Sequence, residues 1–146
     1  MARRNHLSDR RLYRHWSRDT VRFSDQDAGG HVNNVAVVAY FETGRLAFMH
    51  QTLPRDGAAT RRFVAARVDV NYLRESHWPG EVEIGCGVLA VGNSSIRLGA
   101  AVFKDGTCIA TAEMTVVQLQ GSRPLAIDAP MRQALASYVI AGAAPG

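Results

Sequence analysis

The strongest hydrophobic signal along the chain is a run from Asn34 to His50 in which Val35, Val37, Val38, Tyr40, Phe41, Leu46, Phe48 and Met49 leave almost no polar face. A helix that is apolar nearly all round is a buried one, so a central core helix is expected there. Its β-branched start is a poor intrinsic helix former, and packing has to supply the stability. Before it, Thr20–Ser24 reads as a short strand and Asp25–His31 as a polar glycine loop, with Asn33 and Asn34 as N-cap residues. After it, Thr52–Thr60 reads as a loop around Pro54 and Gly57. Strand periodicity then takes over. Ala66, Val68, Val70 and Tyr72 alternate with Arg67, Asp69 and Asn71, a half-buried period of two. Pro79-Gly80, Gly92-Asn93 and Asp105-Gly106 are turn signals that separate strands at Glu81–Val91, Ser95–Phe103 and Thr107–Leu119. Strands joined by tight turns form a meander, and the long helix is the element able to cover its apolar face.

The ends are less regular. Residues 1–19 form a basic arm anchored by Leu7, Leu12, Tyr13 and Trp16, either a short helix capped by Ser8 or an arm packed on the sheet. Gly121–Pro124 ends the sheet, Pro130–Ile140 reads as a C-terminal helix, and Ala141–Gly146 as a frayed tail. No repeat or linker divides the 146 residues, so one domain is expected over 1–146, with 125–146 its C-terminal helix and tail.

Composition narrows the function. The chain is 47% hydrophobic and 21% charged, as in soluble globular proteins. The start has no apolar segment of signal-peptide type, and Val35–Phe41 is too short to span a bilayer, so a cytoplasmic protein without membrane contact is expected. A net charge of +4, concentrated in the first 22 residues, comes with no nucleic-acid-binding motif. Cys86 and Cys108 lack metal-ligand spacing and read as reduced core thiols; neither metal nor cofactor is expected.

The order Phe23-Ser24-Asp25-Gln26-Asp27-Ala28-Gly29-Gly30-His31-Val32-Asn33-Asn34, followed by Tyr40-Phe41-Glu42, resembles the hotdog-fold thioesterases of the 4-hydroxybenzoyl-CoA thioesterase type. Its D-x-D-x-x-G-H-V-N-N loop is also similar to that of plant acyl-ACP thioesterases. The resemblance implies an α+β hotdog domain, a curled antiparallel sheet of about five strands wrapped around the helix. It further implies a homodimer or homotetramer with sites at the interface, and hydrolysis of an acyl-CoA or acyl-ACP thioester.

Position by position, Asp27 matches the catalytic carboxylate and would act as base or nucleophile; the plain alternative is an aspartate accepting backbone N–H groups inside a turn. His31 matches the plant loop histidine, although Gly29 stands where the plant loop has a functional asparagine. The backbone N–H of Asn34 matches the oxyanion donor, a contribution of ~3–4 kcal/mol to the barrier in such sites. Gly29, Gly30 and Asn33 would shape the substrate's approach. The turn Gly92-Asn93-Ser94-Ser95 falls where relatives hold the nucleotide phosphate with basic residues; here Ser94 and Ser95 offer hydroxyls but the turn has no cation, so Arg97, Lys104 or Arg123 would compensate. Glu42 is the alternative catalytic carboxylate, since another hotdog branch uses a helix glutamate. It lies eight residues past Asn34, about 12 Å along the axis, and pairing with Arg45 is the simpler account. The rival from another class is an acyl-thioester-binding module without turnover.

Overall fold

The computed structural model describes residues 6–55 and 61–142. Expectations for the start of the arm, for 56–60 of the loop after the helix and for the last four residues lie outside these. The elements are β1 (His15–Thr20), α1 (Asn34–Thr52), β2 (Arg61–Tyr72), β3 (Glu81–Val91), β4 (Ser95–Lys104), β5 (Thr107–Gln120), the two-residue β6 (Arg123–Pro124) and α2 (Ala129–Ala136). The sheet is antiparallel in the order β1-β3-β4-β5-β2, with β6 on β5. This is the hotdog arrangement, a curled sheet with one long helix against its concave face.

Helix α1 packs on β1, β3 and β4. Tyr40, Phe41 and Phe48 are fully buried among Ile84, Leu98, Val102 and Met114. At Gly44 the helix backbone comes so close to β3 that a Cβ there would stand 2.3 Å from Ile84 Cγ2. A second apolar cluster lies apart from this core, where Leu7, Tyr13 and Ile140 meet Ala101 and Phe103. Leu7 and Tyr13 on one side and Ile140 on the other are thus held by the sheet. Ile140 N donates to Val88 O, and Tyr13 rests over Gly85.

Four expectations need correction. The first strand is His15–Thr20, not Thr20–Ser24; it runs in register from His15↔Cys86 to Thr20↔Glu81. Phe23–Asp25 is a single 3-10 turn instead, because Asp25 Oδ2 accepts from the N–H of Arg22 and pulls the chain out of the ladder. In the arm, Asp9 rather than Ser8 caps a short turn at Arg10–Leu12, and Tyr13 and Trp16 pack on the sheet as the second alternative held. The C-terminal helix ends at Ala136, and the chain beyond it bridges to β3.

The fourth correction concerns α1, which is not buried all round. Val35 is 79% and Leu46 55% exposed, with Val38 and Glu42 on the same open stripe. Glu42 is therefore a solvent-facing residue rather than a buried polar one, and it makes no ion pair with Arg45, whose guanidinium reaches Met114 Sδ. Strand β2, beside this stripe, is a twelve-residue sheet edge with Val68 and Tyr72 exposed.

Cys86 and Cys108 are free thiols. Burial pushes the Cys86 thiol up to about 12 and raises that of Cys108 as well. The thiolate is the reactive form. Native protein should thus leave Cys86 unmodified by a thiol reagent at neutral pH, with the thiol titrating only on unfolding. Prompt labelling of Cys86 in the native state would contradict this.

Candidate active site

The loop between β1 and α1 is built by its own side chains. Gln26 and Val32 form an isolated bridge, Gly30 takes φ 80°, and Asp27 N donates to His31 O at 2.8 Å. Asp25 has the structural role: its Oδ2 accepts from Tyr40 OH at 2.7 Å, and its carbonyl from Asn33 N. Burial, with Asp25 alongside, raises the Tyr40 phenol well above its usual value, so it stays a donor. Asn33 caps α1, its Oδ1 accepting from Ala36 N at 2.8 Å. The N–H groups of Asn34 and Val35 make no hydrogen bond with other described residues, which leaves the positive end of the helix dipole open.

Asp27 is exposed and half-committed. Its Oδ1 accepts from Gly29 N at 2.9 Å and His31 N at 3.2 Å, while Oδ2 has no partner among the described residues. The Asp27 loop, Asn34 and Val37 line a cavity of about 310 Å³, closed on its other side by Tyr72–Ser76 and Ile109. Gly29 gives the carboxylate room, since a Cβ there would lie 3.3 Å from Oδ1. The His31 imidazole makes no hydrogen bond to Asp27; its Nε2 lies 3.3 Å from Glu75 Oε2.

The other candidates divide sharply. Asp27, His31 and Asn34 come together, with Gly29, Gly30 and Asn33 holding them. Ser94, Ser95 and Arg97 do not join them within the chain. Ser95 pairs with Val117 and Tyr72 with Ala110, seven positions apart on β5, which at ~3.4 Å per residue is about 24 Å. Arg97 is tied to Glu113 at 3.4 Å. Lys104 borders a smaller cavity beside the site, shared with Arg74, Glu75 and His77.

The segment Tyr72–His77 is the part of the site that sequence reading missed. Tyr72 OH donates to Asn34 O at 3.3 Å, and Ser76 O accepts from Val32 N at 2.7 Å, so this segment positions the loop. Nothing local marks it, since it reads as a polar link between strands.

A sequence profile of the thioesterase-like superfamily matches residues 21–135, from just before the Asp27 loop through most of α2. The chain belongs to that superfamily. A thioesterase of Thermus thermophilus, solved with coenzyme A and zinc, is 31% identical and superposes with a TM-score of 0.77, covering 87% of this chain and 95% of that one. A Pseudomonas aeruginosa protein of known structure is 28% identical, with a TM-score of 0.81 and coverage of 90% and 96%. An uncharacterised Bacillus subtilis protein, YsmA, is 34% identical over 79 residues; the match spans 54% of each, so about half that relative's length. Among the described residues no helix is long and apolar enough to cross a membrane.

Proposed function

We propose that this superfamily member hydrolyses acyl-CoA thioesters, with acyl-ACP the alternative carrier, to a free acid and a thiol. The observation that carries the reading is one cavity lined both by the Asp27 carboxylate and by the open N-terminus of α1. In this reading the thioester carbonyl oxygen lies at the Asn34 N–H. Asp27 Oδ2 then takes a proton from an attacking water, or attacks the carbonyl itself. Either route puts negative charge on the carbonyl oxygen, where the amide and helix dipole stabilise it, and the thiolate leaves as the carbonyl reforms; on the second route a water then cleaves the acyl–Asp27 anhydride, which releases the acid and restores the carboxylate. His31 contributes through its backbone N–H, which fixes Asp27. Its ring, turned to Glu75, stands at the cavity wall.

An exposed carboxylate is a poor base until water is excluded, which argues for a second copy over the site. The long β2 edge and the apolar stripe of Val35, Val38 and Leu46 support edge-to-edge pairing of two β2 strands. A two-fold axis near Arg67 would bring Tyr72 opposite the β2 start of the partner. The partner's Ser94 and Ser95 then lie about three strand spacings away, ~14 Å, within reach of a coenzyme A tail. Light scattering at micromolar concentration should therefore give a mass of a dimer or tetramer of the 15.9 kDa chain. A monomer would contradict the interface.

The two amide bonds to Asp27 Oδ1 favour one rival, a module that binds acyl thioesters and uses Asp27 to shape the loop. Presenting one acyl group on CoA and on acyl carrier protein, and following the freed thiol, separates the readings. Turnover of either ester supports hydrolysis and names the carrier. Tight binding of both without thiol release supports the module.

A further inference from the structure

His31, Glu75 and His77 each offer one ligand atom, and these atoms all lie within 4.8 Å of one another. We propose that these three side chains form a binding site for a divalent transition-metal ion of the zinc class. The donor set, two imidazoles and one carboxylate, is that of zinc sites keeping an open coordination position, and it does not suit magnesium or calcium.

Geometry supports it. Ligand atoms ~2.0–2.2 Å from a tetrahedral zinc lie about 3.4 Å apart. His31 Nε2 and Glu75 Oε2 are already at 3.3 Å, and the two imidazole rings are 4.9 Å apart between centroids. Glu75 is exposed and free to close the remaining gap by rotation. His77 Nδ1 lies 3.3 Å from Gly30 O. Donation to that carbonyl fixes the tautomer whose Nε2 lone pair is free, the arrangement that orients ligand histidines in metal sites. Between the two exposed ligands, Ser76 is 6% exposed and its Oγ has no hydrogen-bond partner among the described residues. A buried hydroxyl left unpaired calls for a polar guest, and Ser76 lines both cavities that flank the cluster.

Ligation holds the segment after β2 to the loop before α1 across a gap of 46 residues in sequence, from His31 to His77. It also takes the His31 Nε2 lone pair and puts a positive charge on the wall of the cavity that Asp27 lines. The site stands on the cluster alone and does not depend on thioester hydrolysis.

The test uses full-length, untagged protein stripped with a chelator and titrated with zinc chloride by calorimetry, then with cobalt(II) by absorption. One saturable ion per chain is expected, with visible cobalt bands of a site below six-coordinate. Glu75→Ala and His77→Ala should each weaken binding by about tenfold or more, as loss of a ligand does at least as much as loss of its hydrogen-bonded support. His50→Ala, on the far end of α1, should bind as the parent does. Circular dichroism checks that each variant is folded; both ligands are exposed, so it should be. Absence of saturable zinc binding overturns the proposal, and so does binding that Glu75→Ala and His77→Ala leave unchanged.

Discussion

Asp27→Asn should fold as the parent does, bind the thioester with little change in KM, and lose ~100- to 10,000-fold in kcat. The separation follows from how the two carboxylate oxygens are used. Asp27 Oδ1 accepts from Gly29 N and His31 N, and the amide oxygen of asparagine accepts those same bonds, so the turn survives. The change falls on Oδ2, which faces no described partner and becomes an NH2 group able neither to take a proton nor to attack a carbonyl. Glu42→Gln is the matched control. Glu42 is on the exposed stripe of α1, away from the helix N-terminus, and its loss should leave kcat near that of the parent. A near-normal kcat in Asp27→Asn together with an inactive Glu42→Gln would transfer the catalytic role to the helix glutamate. A higher KM with kcat unaltered would reduce Asp27 to a loop-shaping residue.

Gly44→Ala should destabilise the fold by about 2 kcal/mol, or ~8 °C in Tm, although alanine is the better helix former. The new Cβ would stand 2.3 Å from Ile84 Cγ2 and 3.0 Å from Ile84 Cβ, with Ile84 fully buried in β3. The propensity gain is at most ~1 kcal/mol, so the clash wins. Relief requires α1 to lift from the sheet, which loosens the packing of Phe41 and Phe48 as well. Ile84→Ala removes Cγ2, the nearer of the two opposing atoms, so the double variant should be more stable than the sum of the two single losses. Strict additivity of the two changes in chemical denaturation would show that the helix does not approach the sheet this closely.

Sequence reading reaches the loop and helix start because their chemistry is local. Asn33 caps the turn that follows it, Asp27 binds amides two and four residues on, and Gly30 needs its own φ. The meander is legible for the same reason: Asp105 and Gly106 both take positive φ, as their hairpin requires. Strand β1 was hidden by its side chains. His15, Ser17 and Asp19 are polar, and pairing with β3, which begins some sixty residues later, makes them a strand. The stripe of Val35, Val38 and Leu46 misleads in another way. Its residues are as apolar as the buried ones, so hydrophobicity alone cannot separate a core face from an open one. Tyr72, Glu75, Ser76 and His77 are beyond any local pattern, because the antiparallel run of β2 against β5 delivers them to the loop from some 40 residues away.

The central claim is that the cavity of Asp27 and the α1 N-terminus turns thioesters over rather than merely holding them. Thiol release by the parent protein from short, long, branched and aromatic CoA esters tests it most directly. The account predicts sustained release from at least one ester, with many turnovers per chain. Saturable binding of acyl-CoA with no thiol released from any ester would contradict it.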